Sequence, residues 1–163
     1  MSDVTKPGAN AERKPVLPGS VLFACNLNTV RSSMAEAILK KLHGHRIYVD
    51  SAGVAPAEEP DPFTAEVLRE EGFTPSASGP KGFDDLDETS FDLIVALTPE
   101  ARARAEELTR SSATDVEYWE VEDPLAAPTG GNRDRRLAAY RELRNTLRRY
   151  IESRFGRAGA ATG

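Results

Sequence analysis

The fold of this chain is decided by the stretch Val21-Leu22-Phe23-Ala24-Cys25-Asn26-Leu27-Asn28-Thr29-Val30-Arg31-Ser32-Ser33-Met34-Ala35-Glu36-Ala37. Residues 21–24 are typical of a buried β-strand, and a helical pattern begins directly after Ser32. A strand–loop–helix unit of this kind directs backbone N–H groups and the positive end of a helix dipole into the loop, which predicts an anion site. Cys25, the only cysteine, lies where the strand stops. A thiol at the mouth of an anion site loses its proton readily and becomes a nucleophile.

Length and composition place the chain in a broad class. It has 163 residues, which suits one domain with one core, and its 39% hydrophobic and 29% charged residues are typical of a globular protein. No apolar run is long enough for a membrane span or a signal peptide, and one cysteine forms no internal disulfide, so we expect no membrane partner and a cytoplasmic location. The net charge of −5 argues against a nucleic-acid partner. The oligomeric state is open.

Periodicity predicts the order of the elements. Strands are expected at residues 21–24, 47–50, 91–97 and 115–121, with Ser51-Ala52-Gly53 breaking the second strand. Helices alternate with them, on apolar faces that include Ala35, Ile38, Leu39 and Leu42; Thr64, Val67 and Leu68; Ala101, Ala105 and Leu108; Leu137, Tyr140, Leu143, Leu147 and Ile151. This alternation predicts an α/β fold, a three-layer sandwich in which helices cover both faces of a four-stranded parallel sheet.

The ends of the chain and the last helix complete the predicted organisation. Residues 1–19 are expected to form a flexible arm, residues 20–155 one domain and residues 156–163 a flexible tail. The arginines of the last helix are interpreted as a solvated face with acidic neighbours such as Asp134 and Glu142, rather than as a nucleic-acid surface. Asp61-Pro62 is interpreted as a structural turn.

Two reactive groups follow strands of the predicted sheet. Cys25 follows the first strand and Asp123 the fourth, and ligands of parallel sheets bind at the carboxyl ends of the strands. Phosphate-ester cleavage requires an anion cradle, a nucleophile and a proton donor for the leaving oxygen. Arg31 can clamp two oxygens with its planar fork, and Asp123, restrained by Pro124, can supply the proton.

The loop contains two further candidates. Ser32 can donate its hydroxyl to the thiolate, and Asn28 can stabilise the loop from within, because asparagine tolerates left-handed dihedral angles. Each residue alone has an ordinary alternative, since a lone cysteine is usually a small buried hydrophobe and Asp-Pro is a common turn. The arrangement at strand ends and a helix start favours the chemical interpretation.

The stretch with Cys-x5-Arg-Ser and Met-Ala-Glu-Ala strongly resembles the signature of the low-molecular-weight protein tyrosine phosphatases. The resemblance continues through residues 50–53, 91–95 and Asp123-Pro124 and covers about residues 21–151. It implies a phosphate-binding loop formed by Asn26, Leu27, Asn28, Thr29, Val30, Arg31 and Ser32. It also implies a metal-free and cofactor-free hydrolysis in which Cys25 attacks phosphorus, Arg31 holds the oxygens and Asp123 acts as the general acid. A phosphocysteine would form and be hydrolysed by water.

The sequence departs from that family at three places. Val30 stands where many members have a second cysteine, so Cys25 has no internal partner for a disulfide. Ser78 or Gly79 replaces the histidine that supports the loop asparagine, which predicts a less rigid loop. Aromatic residues that wall the family's cleft are absent, and in their place the sequence has Ala55, Pro56, Ala57, Leu125 and Ala126.

Three functions are therefore compared. The first is a phosphomonoester hydrolase of the protein-tyrosine-phosphatase type, acting on a phosphorylated protein or a small phosphoester, with inorganic phosphate as product and inhibitor. The second is an arsenate reductase of the same fold, which with one cysteine would depend on an external thiol. The third is a non-catalytic module that binds phosphate or phosphoproteins, which the depleted aromatic wall favours and the intact acid disfavours.

Overall fold

The computed structural model describes residues 17–86, 90–126 and 132–157, and in them four strands form one parallel sheet. The strands are β1 (Ser20–Cys25), β2 (Tyr48–Gly53), β3 (Leu93–Ala96) and β4 (Asp115–Tyr118), in the order β2-β1-β3-β4. The helices are α1 (Arg31–His43), α2 (Pro62–Glu70), α3 (Pro99–Leu108) and α4 (Arg133–Phe155), with one short 3-10 helix at Phe83–Asp85. The predicted α/β fold with a four-stranded parallel sheet is confirmed.

Helices cover both faces of the sheet, as predicted. Along β1, Val21 and Phe23 point into the larger core, which α1, α2 and α4 line on one face. Leu22 and Ala24 point into a smaller core beneath α3 on the other face. This alternation follows from the period of two along a strand, and it explains why β1 is apolar on both sides. β1, one of the two inner strands, thus places Cys25 at the carboxyl edge of the sheet.

The strand bounds differ from the predicted ones at both edges of the sheet. The predicted break at Ser51-Ala52-Gly53 is wrong, because β2 continues through these residues in register with β1, where Cys25 pairs with Gly53. The fourth strand ends at Tyr118, before the predicted residue 121, because β3 is itself short and its last residue, Ala96, pairs with Tyr118. The polar sequence after Asp50 is therefore compatible with a strand once a neighbouring strand supplies the hydrogen bonds.

Side chains cap the helices that lead away from the carboxyl edge. Asp61 accepts a hydrogen bond from the backbone N–H of Phe63 and caps α2, with Pro62 at the first helical position, so the structural interpretation of Asp61-Pro62 is confirmed. Thr98 caps α3 in the same way by accepting from the N–H of Ala101. Both helices thus start at defined residues close to the ends of strands.

The arginine-rich face of α4 binds α2. Arg141 and Arg144 both donate to Glu70, and Arg133 donates to Glu66. Arg144 is buried and also donates to the carbonyl of Val67. The predicted solvated face is therefore wrong for Arg144, because its partners on α2 come into contact with it only in the folded chain.

Most of the predicted arm and tail, residues 1–16 and 158–163, lies outside the described residues. Within the arm, Leu17 packs against the larger core and Gly19 donates its N–H to Asp92. In the described part of the chain, none of the helices combines the length and the apolar character needed to cross a bilayer.

Candidate active site

The loop between β1 and α1 brings the predicted nucleophile and the predicted arginine together. Cys25 is the last residue of β1 and Arg31 is the first residue of α1. Within the described ranges, the backbone N–H groups of residues 27–30 donate to no acceptor. Unsatisfied N–H groups at a helix start attract an anion. The loop therefore offers free backbone N–H groups to an anion, and the Cys25 thiol lies at its start.

Cys25 is buried, and its sulfur has a polar partner. The Sγ atom of Cys25 lies 2.9 Å from the hydroxyl Oγ of Ser32, which is itself fully buried. A hydroxyl at this distance from a sulfur can donate a hydrogen bond to it. The structure thus places Ser32 where the sequence predicted a stabilising donor.

Asn28 has a left-handed backbone conformation, with φ +58°, which asparagine tolerates. Its Nδ2 atom donates to Ser32 Oγ at 2.8 Å and to Ser51 Oγ at 2.9 Å, and its Oδ1 atom accepts from the backbone N–H of Lys81 at 2.9 Å. All its side-chain donors and acceptors thus have partners in three different segments of the chain. These bonds hold the loop in a conformation that most residues avoid.

Lys81 supplies the support that the sequence predicted to be missing. A cavity of about 50 Å³ borders Ser78 and Gly79, where the family's histidine was expected, and Asn28 is held by the Lys81 backbone instead. The Lys81 carbonyl accepts from the N–H of Gly53, and its Nζ atom lies 2.7 Å from Oδ1 of Asp50. Burial lowers the pKa of Lys81, but the hydrogen bond to Asp50 and the nearby carboxylates outweigh this, so the pKa lies above its ordinary value.

The segment after β2 follows the loop closely. Val54 donates its N–H to the carbonyl of Cys25, Ala55 to that of Asn26, and Ala57 to that of Leu27. A Cβ atom on Gly53 would lie 2.5 Å from the Asn26 carbonyl oxygen. Glycine at position 53 is therefore what allows the loop backbone to approach β2.

A second support comes from α2 and, through it, from α4. Thr64 of α2 donates its hydroxyl to the carbonyl of Thr29 in the loop at 2.8 Å. The capping residue of the same helix, Asp61, accepts a 2.5 Å hydrogen bond from the hydroxyl of Tyr140 on α4. The loop is thus connected to the last helix through two side-chain contacts.

The predicted acid lies opposite the loop. Oδ2 of Asp123 is 3.8 Å from Nη2 of Arg31, and Oδ1 accepts from the N–H of Leu125 at 2.9 Å. The Asp123 side chain is 39% exposed, whereas that of Arg31 is 17% exposed. The carboxyl group therefore reaches solvent while remaining close to the anion loop.

Aliphatic side chains are exposed on the segments where the sequence lacks the family's aromatic residues. Three of them are large and solvent-exposed, namely Leu27 at 44%, Val54 at 41% and Leu125 at 47%. They come from the loop, from the segment after β2 and from the segment that carries Asp123. The large exposed apolar side chains of these three segments are consequently aliphatic.

Several polar residues of the site were not predicted from the sequence. They share a position behind the loop and comprise Glu36, Asp50, Ser51, Thr64 and Lys81. Glu36 carried one usable signal, because it is a charged residue between the apolar positions Ala35 and Ala37 of an amphipathic helix. A charge on the buried side of a helix requires partners, so such a residue indicates a buried polar network.

Comparison with known proteins relates this site to others. A family model for low molecular weight phosphotyrosine protein phosphatases matches residues 20–155. The low molecular weight protein-tyrosine-phosphatase YfkJ of Bacillus subtilis (strain 168) is 36% identical over 89 residues, which are 50% of this chain and 57% of that protein. The matched region thus spans little more than half the length of this relative.

Two solved structures of similar sequence share the fold. The low molecular weight protein tyrosine phosphatase from T. tengcongensis is 27% identical, with a TM-score of 0.66 over 82% of this chain and 95% of that one. An arsenate reductase from Archaeoglobus fulgidus DSM 4304 is 28% identical, with a TM-score of 0.57 over 80% of this chain and 98% of that one.

Proposed function

The chain belongs to the low molecular weight phosphotyrosine protein phosphatase family, and we propose that it hydrolyses phosphomonoesters through a phosphocysteine on Cys25. The proposal rests on two contacts at the loop between β1 and α1. The buried sulfur of Cys25 lies 2.9 Å from Ser32 Oγ, and Asp123 lies 3.8 Å from Arg31. Nucleophile, anion clamp and acid therefore share one edge of the sheet.

In the first step the Cys25 thiolate attacks phosphorus. The S–P bond forms while the P–O bond to the leaving group breaks, and Asp123 donates its proton to the departing oxygen. The Arg31 guanidinium and the free N–H groups of residues 27–30 hold the three equatorial oxygens, where negative charge accumulates in the transition state.

In the second step water attacks the phosphocysteine. Asp123, now ionised, accepts a proton from the water, the S–P bond breaks, and the thiolate is restored with Ser32 as its donor. Inorganic phosphate leaves the loop that held the substrate, so we expect it to inhibit as well as to be the product. The steps use only side chains and backbone of this chain and water.

We propose a phosphorylated protein or a small phosphoester as the substrate. Phosphotyrosine would be an acceptable substrate but would gain less from the site than in relatives with an aromatic wall. Each lost aromatic pair removes about 1 kcal/mol of stacking. For the location we propose the cytoplasm, because a single free thiol that must stay reduced suits a reducing compartment.

The proposal is tested by phosphate release from purified protein. The panel contains an aryl phosphate, a phosphotyrosine peptide, an alkyl phosphate and a phosphorylated arginine, each measured near pH 6 with wild type and with Cys25→Ser. We expect turnover of the aryl phosphate by wild type and none by Cys25→Ser. No turnover on any substrate, together with tight phosphate binding in calorimetry, would favour a binding module instead.

Arsenate reduction is the second candidate, because an arsenate reductase of this fold is 28% identical and arsenate has the shape and charge of phosphate. The full chain contains one cysteine, so the two electrons for arsenate must come from Cys25 and an external thiol. Thiol consumption that depends on arsenate, and that Cys25→Ser abolishes, would support this activity. Hydrolysis without such consumption would exclude it.

A further inference from the structure

Glu36 is a buried carboxylate that the proposed hydrolysis does not use. It lies on α1, five residues after Arg31, the first residue of that helix, and its side chain is 4% exposed. One oxygen, Oε2, lies 2.6 Å from Nζ of Lys40, whose side chain is 49% exposed. The other oxygen, Oε1, accepts a 2.5 Å hydrogen bond from the hydroxyl of Ser51. The carboxylate therefore joins a surface cation to a buried hydroxyl.

An unbroken chain of hydrogen bonds continues from Ser51 to the nucleophile. Asn28 Nδ2 lies 2.9 Å from Ser51 Oγ and 2.8 Å from Ser32 Oγ, and Ser32 Oγ lies 2.9 Å from Cys25 Sγ. Ser51, Asn28, Ser32 and Cys25 are all buried. Such chains are sensitive to their ends, because each bond polarises the next in a medium that water does not screen.

Counting protons fixes the direction of every bond in this chain. Asn28 Oδ1 faces the Lys81 N–H and must accept, so Nδ2 faces the two serine hydroxyls and donates to both. The single proton of Ser51 is committed to Glu36. Ser32 Oγ accepts from Asn28, and a Cys25 thiolate has no proton to donate, so in the thiolate state the Ser32 proton is directed to the sulfur.

The Lys40–Glu36 pair determines this direction at its outer end. An ionised carboxylate only accepts hydrogen bonds, so it compels Ser51 to donate. Lys81 also acts on Glu36, but its Nζ atom is bound to Asp50 at 2.7 Å, so Lys40 is the cation that contacts the Glu36 carboxylate directly. A buried carboxylate that loses its contacting cation shifts towards its neutral form, which presents a hydroxyl proton of its own. On Oε1, that proton would be donated to Ser51 Oγ, and the Ser51 proton would lose its acceptor. The Ser51 hydroxyl would then reorient, which disturbs its bond from the Asn28 amide that orients Ser32.

We propose that Lys40 and Glu36 are positioning residues for the nucleophile. From the surface of α1, the ion pair orders the hydrogen bonds so that Ser32 donates to the Cys25 thiolate. The inference rests on the proposed function in one respect, which is that Cys25 is the nucleophile. It deepens that function by making the reactivity of Cys25 depend on a half-exposed lysine that contacts neither substrate nor sulfur.

The test measures the thiol directly. Cys25 is the only cysteine in the full chain, so the rate of alkylation by iodoacetamide between pH 4.5 and 8 reports on this residue alone. The variants are Lys40→Gln, which removes the cation, Lys40→Arg, which keeps it, and Lys41→Gln, the matched control. Lys41 is an exposed neighbour on the same helix with no ion pair in the described ranges.

We expect Lys40→Gln to be alkylated about three- to ten-fold more slowly than wild type at pH 5–6. Well above neutral pH the two proteins should react equally fast, because a difference in the thiolate fraction disappears once the thiol is fully ionised. Lys40→Arg should restore the wild-type profile, and Lys41→Gln should not alter it. Wild-type behaviour of Lys40→Gln, or an equal loss in Lys41→Gln, would overturn the inference.

Glu36→Gln provides the second variant, with thermal unfolding of every variant recorded beside alkylation. We expect the same shift of the alkylation profile to higher pH. Suppose that Glu36→Gln lowers the thermal unfolding midpoint but leaves the pH profile of alkylation unchanged. That result would overturn the inference and show that Glu36 has only a structural role. Hydrolysis is assayed separately. If wild type hydrolyses no phosphoester but the alkylation order holds, the proposed function fails and the inference stands.

Discussion

The Arg31 guanidinium and the Asp123 carboxylate face each other with 3.8 Å between Nη2 and Oδ2. This distance exceeds that of a hydrogen bond, so the carboxylate is near the cation without being tied to it. A carboxyl group in that relationship to an anion loop is free to exchange a proton with an oxygen of bound substrate. The proposed hydrolysis requires this separation between Arg31, its proposed anion clamp, and Asp123, its proposed acid.

Asp123→Asn tests the acid. We expect a loss of about 10²- to 10⁴-fold in kcat on an alkyl phosphate, because its leaving oxygen must be protonated, and a much smaller loss on a nitrophenyl phosphate, whose leaving group departs as an anion. The measurement is kcat across a series of leaving groups of different basicity. Equal slowing for good and poor leaving groups would remove Asp123 as the acid.

Gly53→Ala tests the close approach of loop and strand. The added Cβ atom would meet the Asn26 carbonyl oxygen at 2.5 Å and the Asn28 nitrogen at 3.0 Å, and both are backbone atoms. We expect a loss of about 1–3 kcal/mol in the free energy of unfolding and weaker phosphate binding, because the loop must shift. Chemical denaturation and phosphate titration measure the two effects.

Gly79→Ala is the control for this variant, since a Cβ atom there would meet no atom within 4 Å. It should unfold and bind phosphate as wild type does. If Gly53→Ala matched it in both measurements, the close approach would not constrain the loop.

Tyr140→Phe tests the link between α4 and α2. The hydroxyl donates to Asp61 at 2.5 Å, and burial, followed by this hydrogen bond, raises the pKa of Tyr140. Removing the hydroxyl should lower the free energy of unfolding by about 1–3 kcal/mol, since the bond is to a charged group. Tyr150→Phe is the control, because its hydroxyl has no partner in the described part of the chain. Comparable losses in both variants would argue against a special role of the bond.

Glu70→Gln tests the electrostatic contact between the same two helices. Hydrogen bonds from Arg141, and then from Arg144, lower the pKa of Glu70 to about 2, against the opposing effect of burial. A lowered pKa gives stability that is complete above the ordinary value of 4.5 and is lost as the pH falls towards 2. We expect Glu70→Gln to cost about 1 kcal/mol at pH 7, because the pair is partly exposed.

Unfolding free energies between pH 2 and 7 measure this effect. The variant should show a flatter decline below pH 4.5 than wild type, since it lacks the titrating group. Glu142→Gln, on an exposed carboxylate of α4 without an ion pair in the described residues, should leave the decline unchanged. A wild-type slope in Glu70→Gln would show that this contact does not govern acid stability.

Local patterns in the sequence were sufficient to predict the order of strands and helices and the residues that form the loop. Apolar runs predicted the strands, and because parallel strands end at one edge, Cys25 and Asp123 were expected to lie together there. Asparagine tolerates the left-handed conformation found at Asn28, and Ser32 was expected beside the sulfur. These predictions depend on neighbours in sequence or on one general rule of sheet topology.

The missed features depend on contacts between distant segments. Lys81 supports Asn28 through its backbone N–H, which carries no sequence signature. Ser51 was interpreted as part of a strand break, because three small or polar residues weaken a strand until a partner strand pairs with them. Arg141 and Arg144 bind Glu70 on α2, which is 71 and 74 residues away in sequence. Because the sequence of α4 contains no sign of this partner, its arginines were interpreted as a solvated face.

The link from Tyr140 to Asp61, and from α2 to the loop, has a consequence for the order in which the protein matures during synthesis. The loop leaves the ribosome early, but Thr64 of α2 holds it at Thr29, and α2 in turn depends on α4. A nascent chain that ends before α4 therefore contains Cys25, Arg31 and Asp123 but lacks the hydrogen bond from Tyr140 to Asp61. Such long-range contacts form late in folding. We therefore expect the proposed hydrolysis to begin only after the last helix has been made.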